Sequence, residues 1–222
     1  MHHTRPAPSA PVHPDHDIEP DRVIHLEAVN PRAAWKLDVE FDRNYPAEIR
    51  KKSNLYWTPV SVARRAVELL QPDASMRILD VGSGAGKFCL VGAAQSPAAF
   101  VGVESQVELV DVARTAARAL GAVNASFVVG DALALDWSSY DALYFYNPFQ
   151  ELSWRGDTES ERERAYDDFQ RHVAAAKRKL EAMPTGSRVV TYYGYGAEMP
   201  RGYSCSASER SGPGDLELWV KG

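Results

Sequence analysis

The residues best suited to ligand chemistry lie in a glycine-rich stretch, where residues 78–88 read ILDVGSGAGKF. Glycine allows a sharp turn and a close approach of the backbone to a ligand. A helix that begins directly after such a turn presents free backbone N–H groups to a carboxylate or a phosphate. Glu104 ends the next apolar segment, 22 residues after Gly82, where a carboxylate can accept hydrogen bonds from both hydroxyls of a ribose. The pattern predicts a cofactor loop rather than a turn that only permits tight packing.

The spacing of the glycines narrows the class of cofactor. A phosphate-binding P-loop needs Gly, four residues and then Gly-Lys-Ser/Thr, but Val81 occupies the first glycine position and Phe88 the hydroxyl position. A dinucleotide fold prefers Gly-x-Gly-x-x-Gly, whereas this chain has glycine at every second position from 82 to 86, preceded by Asp80. The spacing therefore excludes nucleoside triphosphate binding and argues against a dinucleotide.

Alternating apolar strands and amphipathic helices position this loop. Such alternation is typical of a parallel sheet with helices on both faces. The predicted strands span residues 77–81, 100–104, 126–129, 141–146 and 188–193, and the predicted helices begin near Gly86 and cover 106–120 and 159–183. Two last segments, residues 203–210 and 216–220, indicate a closing antiparallel hairpin. The predicted fold is α/β, with a doubly wound, mostly parallel seven-strand sheet.

The part of the chain before residue 58 has a different pattern. Prolines and histidines dominate the first 25 residues, which predicts a disordered tail rather than a signal peptide or a metal site. Residues 35–42 alternate apolar and polar side chains, the period of a half-buried strand. Thr58 and Pro59 then read as an N-cap and the first residue of a helix. We expect residues 26–57 to form a strand with an aromatic lid.

Composition excludes several classes of protein. A length of 222 residues and 24.5 kDa favours one core with an appendage. No apolar run approaches the ~18 residues that a membrane span requires. Thirty acidic residues against 25 basic ones, a net charge of −5, argue against a nucleic-acid partner. Cys89 and Cys205 are too few for a disulfide framework or a zinc site, which favours a reducing cytoplasm.

Four segments resemble the motifs of class I, seven-strand methyltransferases that use S-adenosylmethionine. LDVGSGAG at residues 79–86 is similar to the first motif, VGVE at 101–104 to the second, VGDA at 129–132 to the third and YFYNPF at 144–149 to the fourth. The resemblance covers residues 58–222 and implies a Rossmann-like methyltransferase domain. The family also places a last antiparallel strand beside the parallel set.

The resemblance implies which residues surround the cofactor. The set comprises Asp80, Gly82, Ser83, Gly84, Gly86, Glu104, Ser105, Asp131, Ala132 and Asn147. Asp80 and the backbone of residues 82–84 would hold the methionine end, whose ammonium needs an acceptor and whose carboxylate needs donors. Glu104 would hold the ribose, and Asp131 with the next backbone N–H the adenine ring. Two simpler roles stay open, Asp131 as the cap of a turn and Ser105 as the cap of a helix.

Two residues are candidates for the acceptor side, Asn147 and Tyr56. Asn147-Pro148-Phe149 resembles the Asn/Asp/Ser-Pro-Pro-aromatic motif of amino-group methyltransferases, without its second proline. An amide oxygen can hold the hydrogens of an amine while an aromatic ring lines the cationic transition state. A plain turn at Asn147-Pro148 is the alternative. Tyr56 lies in a segment similar in position to one of seven-strand protein-lysine methyltransferases, and would cover the channel or only pack the helix that follows.

The expected function is transfer of a methyl group from S-adenosylmethionine to a small molecule or a protein amine. Tyr192, Tyr193 and Tyr195 could rim the acceptor pocket, although their strand propensity also explains them. Two other classes stay open. An NAD(P)-dependent oxidoreductase is disfavoured by the glycine spacing, and a non-catalytic cofactor-binding protein would keep the same motifs. Neither the acceptor nor the oligomeric state follows from these residues.

Overall fold

Seven strands form one sheet in the structure, a computed structural model that describes residues 31–150 and 156–222. The strands are β1 (Arg77–Val81), β2 (Ala99–Glu104), β3 (Ala125–Val129), β4 (Ala142–Tyr146), β5 (Arg188–Tyr192), β6 (Tyr203–Ser211) and β7 (Gly214–Lys221). Their order is β3-β2-β1-β4-β5-β7-β6, with β7 antiparallel to both neighbours and the other pairs parallel. The predicted strands and the closing hairpin are thus confirmed, with bounds that differ by two residues or fewer.

Helices cover both faces of the sheet. They are α1 (Pro31–Phe41), α2 (Ala47–Arg50), α3 (Ser53–Tyr56), α4 (Val60–Leu70), α5 (Lys87–Gln95), α6 (Val107–Leu120) and α7 (Glu159–Glu181), with short 3-10 helices at Asp42–Asn44, Ala132–Ala134 and Trp137–Ser139. One apolar core lies between the sheet and α4, α5 and α6, and a second lies under α7. The central strands β1 and β4 are buried on both faces, which explains their continuous apolar sequences. None of the helices described here is long and apolar enough to cross a membrane.

The strand order reverses between β1 and β4, and this reversal locates the site. Connections from β1 and β4 leave toward opposite faces, so a crevice opens at the carboxyl edge between them. The glycine loop follows β1 and residues 147–150 follow β4 at that edge. The fold therefore brings together the first and fourth sequence motifs.

The predicted strand at residues 35–42 is wrong, because these residues form the end of α1 and the 3-10 helix after it. The alternation placed Trp35 and Val39 on a buried face, yet they are 58% and 41% exposed. Asp38 and Asp42 are buried instead. Residues four apart lie on the same face of a helix. The buried face of this segment is therefore marked by two acidic residues, Asp38 and Asp42, and not by the alternating apolar residues.

The predicted N-cap at Thr58 is also wrong. Helix α4 begins at Val60, and its first N–H donates to Oδ1 of Asp38 at 2.9 Å. Thr58 instead pairs its hydroxyl with that of Tyr144 at 3.0 Å, inside the core. The acceptor for the first N–H of α4 is therefore a side chain of α1, and not the hydroxyl of Thr58 as the local sequence predicted.

A buried lysine joins the N-terminal segment to the glycine loop. Lys87, the first residue of α5, has a side chain that is 2% exposed. Its Nζ lies 3.1 Å from Oδ1 of Asp38 and 2.7 Å from Oδ1 of Asp42, and donates to Oγ of Ser53 at 2.6 Å. A charge this deeply buried is tolerated only when it is paired and hydrogen-bonded. Residues 38–53 are therefore held against the start of α5.

We expect Lys87→Met to lower the free energy of unfolding by about 3–5 kcal/mol, because it leaves two buried carboxylates without their cation. Lys51→Met is the matched control, since the ion pair of Lys51 with Glu48 is exposed and contributes about 1 kcal/mol or less. Urea unfolding of both variants measures the difference. Equal losses would contradict the buried role of Lys87.

Candidate active site

A cavity of about 530 Å³ opens at the carboxyl edge of the sheet. Its size lies in the range of about 300–1,000 Å³ that is usual for ligand sites. The residues that line it are Tyr56, Trp57, Val81, Gly82, Gly84, Val103, Glu104, Ser105, Gln106, Leu109, Gly130, Asp131, Ala132, Tyr146, Asn147, Pro148, Phe149, Gln150, His172 and Tyr193. Eight of the predicted site residues are among them, and Asp80, Ser83 and Gly86 are not.

The glycine loop needs glycine for two different reasons. Gly82, Gly84 and Gly86 all have positive φ, at 77°, 53° and 82°. A Cβ atom at Gly84 would lie 2.5 Å from Nε1 of Trp57, so this glycine admits the indole ring over the loop. A Cβ atom at Gly86 would lie 2.5 Å from the Phe127 ring, so Gly86 serves the packing of the loop against β3. The structure thus separates Gly86 from the cavity wall.

The backbone N–H groups of residues 82–84 are already bonded within the protein. Those of Gly82 and Ser83 donate to the carbonyl of Val103 at 3.0 and 2.9 Å, and that of Gly84 donates to Oε2 of Glu104 at 3.1 Å. The resemblance implied that this backbone would hold a carboxylate, and here its donors are used to tie the loop to β2. Trp57 offers an alternative donor, since its Nε1 has no hydrogen bond within the residues that the structure describes.

Glu104 is buried at the centre of the cavity floor. Its Oε1 accepts from the N–H of Gln106 at 2.9 Å and from Oγ of Ser105 at 3.1 Å, while Oε2 accepts from Gly84. Three contacts fix the carboxylate and leave part of its acceptor capacity for a ligand. The predicted capping role of Ser105 is not observed, because α6 has Gln106 at its N-cap position and no side-chain cap.

Asp80 lies beneath the loop, beside a smaller pocket of about 30 Å³ that Ser83 and Lys87 also line. Burial raises the pKa of the Asp80 carboxyl to about 7, an effect that a hydrogen bond from Sγ of Cys89 at 3.6 Å opposes. Oγ of Ser83 is buried without a hydrogen-bond partner among the described residues. A polar ligand group that entered this pocket would therefore meet an acidic group and an unsatisfied hydroxyl.

Asp131 caps a turn, which is one of the two roles left open by the sequence, and it also lines the cavity. It lines the cavity, and its Oδ1 accepts from the N–H of Leu133 at 2.8 Å, which caps the 3-10 helix of residues 132–134. Ala132 lines the cavity as well, and its carbonyl accepts from Nε1 of Trp137 at 2.8 Å. The cap leaves the second carboxylate oxygen of Asp131 for a ligand.

Two residues other than glycine adopt the left-handed backbone region at the ends of adjacent strands. Asn147 follows β4 with φ of 43°, and Tyr193 follows β5 with φ of 61°. Both line the cavity, and the N–H of Asn147 donates to the carbonyl of Gly194 at 3.3 Å. Such conformations cost free energy and concentrate at functional sites. The side-chain amide of Asn147 makes no hydrogen bond within the described part of the chain.

The three tyrosines predicted after β5 divide between the rim and the core. Tyr193 lines the cavity, with its ring 5.9 Å from that of Tyr146. Tyr192 and Tyr195 are buried, and their hydroxyls donate to the carbonyls of Ser211 and Glu198. The aromatic rim thus includes Tyr146, which the sequence analysis placed in a strand and in the fourth motif without a role at the acceptor.

The N-terminal segment closes one side of the cavity. Tyr56 is 50% exposed at its mouth, while Trp57 is 8% exposed and packs on the loop at Gly84. Tyr56 was singled out from the sequence, whereas its neighbour Trp57 was given no role at the cavity. The spacing of the glycines could not indicate that Trp57 packs on Gly84, because the two residues belong to segments that are separate in the sequence.

His172 is a cavity residue that sequence reasoning missed. It lies on α7, three residues after Phe169 and one before Val173, which are both buried in the core under that helix. The surrounding sequence has the spacing of an amphipathic helix, which explains His172 as an ordinary helix residue. The sequence signals for a site came from the ends of the strands, and His172 does not lie at one. Within the described residues, no three of the His, Cys, Asp and Glu side chains form a group that could bind a metal ion.

The comparisons with known proteins agree with this fold. Residues 72–166 match a family model described as a methyltransferase domain. No curated protein matches the sequence. The chain is similar to the solved structure of an RNA methyltransferase from Salinibacter ruber in complex with S-adenosyl-L-homocysteine, with 23% identity, a TM-score of 0.53 and coverage of 74% of this chain and 92% of that one.

Two further structures are similar. TrmN from Thermus thermophilus has 20% identity and a TM-score of 0.55, and the match covers 77% of this chain and 51% of that one. A mutant of MtNAS in complex with S-adenosylmethionine has 14% identity and a TM-score of 0.53, with 84% and 72% covered. At these identities the likeness establishes the fold, and folds of this kind carry many chemistries.

The stability of the protein should depend on pH through Asp80. Its carboxyl has a pKa of about 7 when folded, against 3.8 as the ordinary value. Between those values the native state binds more protons than the unfolded state, so stability falls as pH rises from about 4 to about 7. Asp80→Asn removes this titration. We expect the variant to gain about 1–3 kcal/mol relative to the parent protein between pH 5 and pH 8, measured by urea unfolding; a difference that is constant with pH would show that Asp80 is ionised throughout.

Proposed function

We propose that this chain is a class I, S-adenosylmethionine-dependent methyltransferase and that it methylates an amine nitrogen of a small molecule or of a protein side chain. The bound cofactor supplies an activated methyl group on a sulfonium. The protein then has to align the acceptor with the S–CH₃ bond and keep it unprotonated. The observation that carries the proposal is the side-chain amide of Asn147, which lies on a left-handed turn at the cavity and has no hydrogen bond within the described residues.

The residues at the cavity floor fit the cofactor. The small pocket presents Asp80 to an ammonium group and the unsatisfied hydroxyl of Ser83 to either polar group of the methionine end. We assign the donor for the methionine carboxylate to Nε1 of Trp57, because the backbone N–H groups of residues 82–84 are bonded within the protein. Glu104 would accept from the ribose.

The adenine end of the cofactor has its own candidate residues. Asp131 keeps one carboxylate oxygen for the adenine amino group, and the adjacent Ala132 lines the same part of the cavity. Ser105 lies beside them, with its hydroxyl directed at Glu104. In this proposal Gly86 supports the loop through its packing on Phe127 and does not touch the cofactor.

The acceptor side favours nitrogen. The amide oxygen of Asn147 can accept a hydrogen from an amine, and the rings of Tyr146, Phe149 and Tyr193 line the same cavity. An amine becomes a cation as its methyl bond forms, and aromatic faces attract a cation. Pro148 packs on the loop, with Cβ 3.3 Å from where a Cβ of Gly82 would lie, so the acceptor residues and the cofactor loop are in contact. Tyr56 at the mouth would contact an acceptor as it enters.

A labelled-methyl screen tests the acceptor class directly. The protein is incubated with S-adenosylmethionine labelled at the methyl group and with lysate separated into protein and small-molecule fractions. Label in the protein fraction indicates a protein amine, and label in the other fraction indicates a small molecule. Acid-stable label at nitrogen supports the proposal, whereas label only at oxygen, sulfur or carbon, or transfer to neither fraction, would contradict it.

Glu104→Gln should weaken binding of S-adenosylhomocysteine by about 10- to 100-fold, since a hydrogen bond to a charged group contributes about 1.5–3 kcal/mol. Isothermal titration calorimetry measures the affinity. Glu108→Gln is the matched control, because Glu108 is exposed in the first turn of α6 and outside the cavity wall. Unchanged affinity in Glu104→Gln would remove this residue from the site.

Asn147→Gly should spare cofactor affinity and lower turnover about tenfold or more, because it removes the amide yet keeps a backbone that tolerates positive φ. Gln71→Gly makes the same kind of change at φ of 45°, at the C-cap of α4 and outside the cavity wall. Turnover is measured with the labelled fraction from the screen. Equal turnover in the two variants would place Asn147 in a plain turn.

A further inference from the structure

His172 is the one histidine among the residues that the structure describes, and it lines the cavity. Its Nδ1 lies 2.7 Å from the backbone carbonyl of Asp168, one turn earlier on α7. A carbonyl oxygen can only accept, so the hydrogen of the neutral ring is on Nδ1. Nε2 is then an unprotonated acceptor, and it has no hydrogen-bond partner among the described residues. This is the tautomer that a general base requires.

The position of the ring places it on the acceptor side. The His172 ring centroid lies 5.8 Å from that of Phe149, which follows Asn147 and Pro148 in the loop after β4. The proposed cofactor residues come instead from β1 and β2, from the loops after β1, β2 and β3, and from the N-terminal segment. Phe169 and Val173 anchor the same face of α7 in the core, so the imidazole is presented from a rigid helix.

An amine acceptor arrives with a proton that must leave. Alkyl amines have a pKa near 10.4 and are ammonium ions at neutral pH, with no lone pair for attack. A nearby positive charge and an apolar wall both favour loss of that proton. The acceptor-side residues named so far, Asn147, Tyr146 and Tyr193, hold the amine but do not take its proton, because an amide and a phenol are poor bases near pH 7.

We propose that His172 is the general base of the methyl transfer, with Nε2 accepting a proton from the ammonium form of the acceptor. The inference rests on the proposed function. Nε2 takes the proton, the freed lone pair of the nitrogen forms the N–CH₃ bond, and the electron pair of the breaking S–CH₃ bond returns to sulfur. The products are a methylated ammonium ion, a neutral thioether and an imidazolium, which returns its proton to solvent.

Other ionisable groups line the cavity or lie near His172 on α7. Glu104 and Asp131 line it from the cofactor side, and Tyr146 and Tyr193 from the strand ends. On α7 itself, the Asp168 carboxylate is paired with Arg171. None of these side chains is hydrogen-bonded to the imidazole, so the charge of a bound ligand should be felt at Nε2 directly.

Nuclear magnetic resonance of the full-length protein tests the geometry without an acceptor. Replacement of the histidines at positions 2, 3, 13, 16 and 25 by glutamine leaves His172 as the only imidazole signal. In the free protein, ¹⁵N shifts should show the Nδ1–H tautomer. The titration midpoint should be lower by about 0.5 pH unit or more with S-adenosylmethionine than with S-adenosylhomocysteine, because only the first carries a positive charge at the reacting centre.

Equal midpoints in the two complexes, or the Nε2–H tautomer in the free protein, would overturn the assignment. Absence of binding by either compound in calorimetry would instead overturn the proposed function. The two failures are therefore distinguishable.

A kinetic test uses the fraction that the parent protein labels. His172→Asn keeps a donor for the Asp168 carbonyl and removes Nε2, and should slow transfer about 10²- to 10⁴-fold at pH 7 with unchanged affinity for S-adenosylhomocysteine. Its rate should rise about tenfold per pH unit up to pH 9, as the free amine increases, while the rate of the parent protein should rise less steeply over the same pH range. A variant with the parent profile would refute the role, and so would a slow variant whose rate does not rise with pH.

Discussion

The burial of one ammonium group under the glycine loop governs the architecture of this site. Lys87 begins the helix that follows the loop, and its partners Asp38, Asp42 and Ser53 all come from the N-terminal segment. Withdrawal of the segment would leave this charge buried and unpaired, at a cost of several kcal/mol. The segment is therefore a fixed wall of the cavity. Because Ser53 is the first residue of α3, the same contacts determine where Tyr56 and Trp57 lie.

The fixed wall changes what the glycine loop can do. Glycine at position 84 admits the indole of Trp57, and the N–H groups of residues 82–84 are bonded to Val103 and Glu104. These bonds tie the loop to β2, and in the proposed function the donors for the ligand are side chains beside the loop. Such a site loses adaptability and gains preorganisation, which reduces the ordering that binding would otherwise require.

The sheet could be predicted from the sequence because both of its signals are local. Continuous apolar segments mark β1 and β4, and glycines mark the turn after β1, so strand bounds were right within two residues. Residues 35–42 could not be read in the same way, since the burial of Asp38 and Asp42 depends on Lys87, about 50 residues later. The spacing of apolar residues alone does not predict that acidic residues are buried.

The same limit explains which site residues were found. Glu104 and Asp131 follow strands directly, and the structure brings both to the cavity. Trp57 and His172 reach it from a lid and from a helix on the other face, and nothing in their local patterns distinguishes them from packing residues. For Gly86 the opposite holds. Its position in the motif predicted contact with a ligand, but the packing of the Phe127 ring is what requires a glycine there.

The charges at the cavity floor discriminate between cofactors independently of the glycine spacing. Asp80 and Glu104 are buried there, and Lys87, the one cation that lines either pocket in the described structure, is paired with Asp38 and Asp42. An excess of carboxyl groups favours a ligand with positive charge, such as an ammonium or a sulfonium. The pyrophosphate of a dinucleotide would instead meet carboxyl groups, and the only nearby ammonium is already paired with two aspartates. The protonation of Asp80 near neutral pH fits the same view, because a buried acid without a cation beside it stays neutral until a cationic ligand arrives.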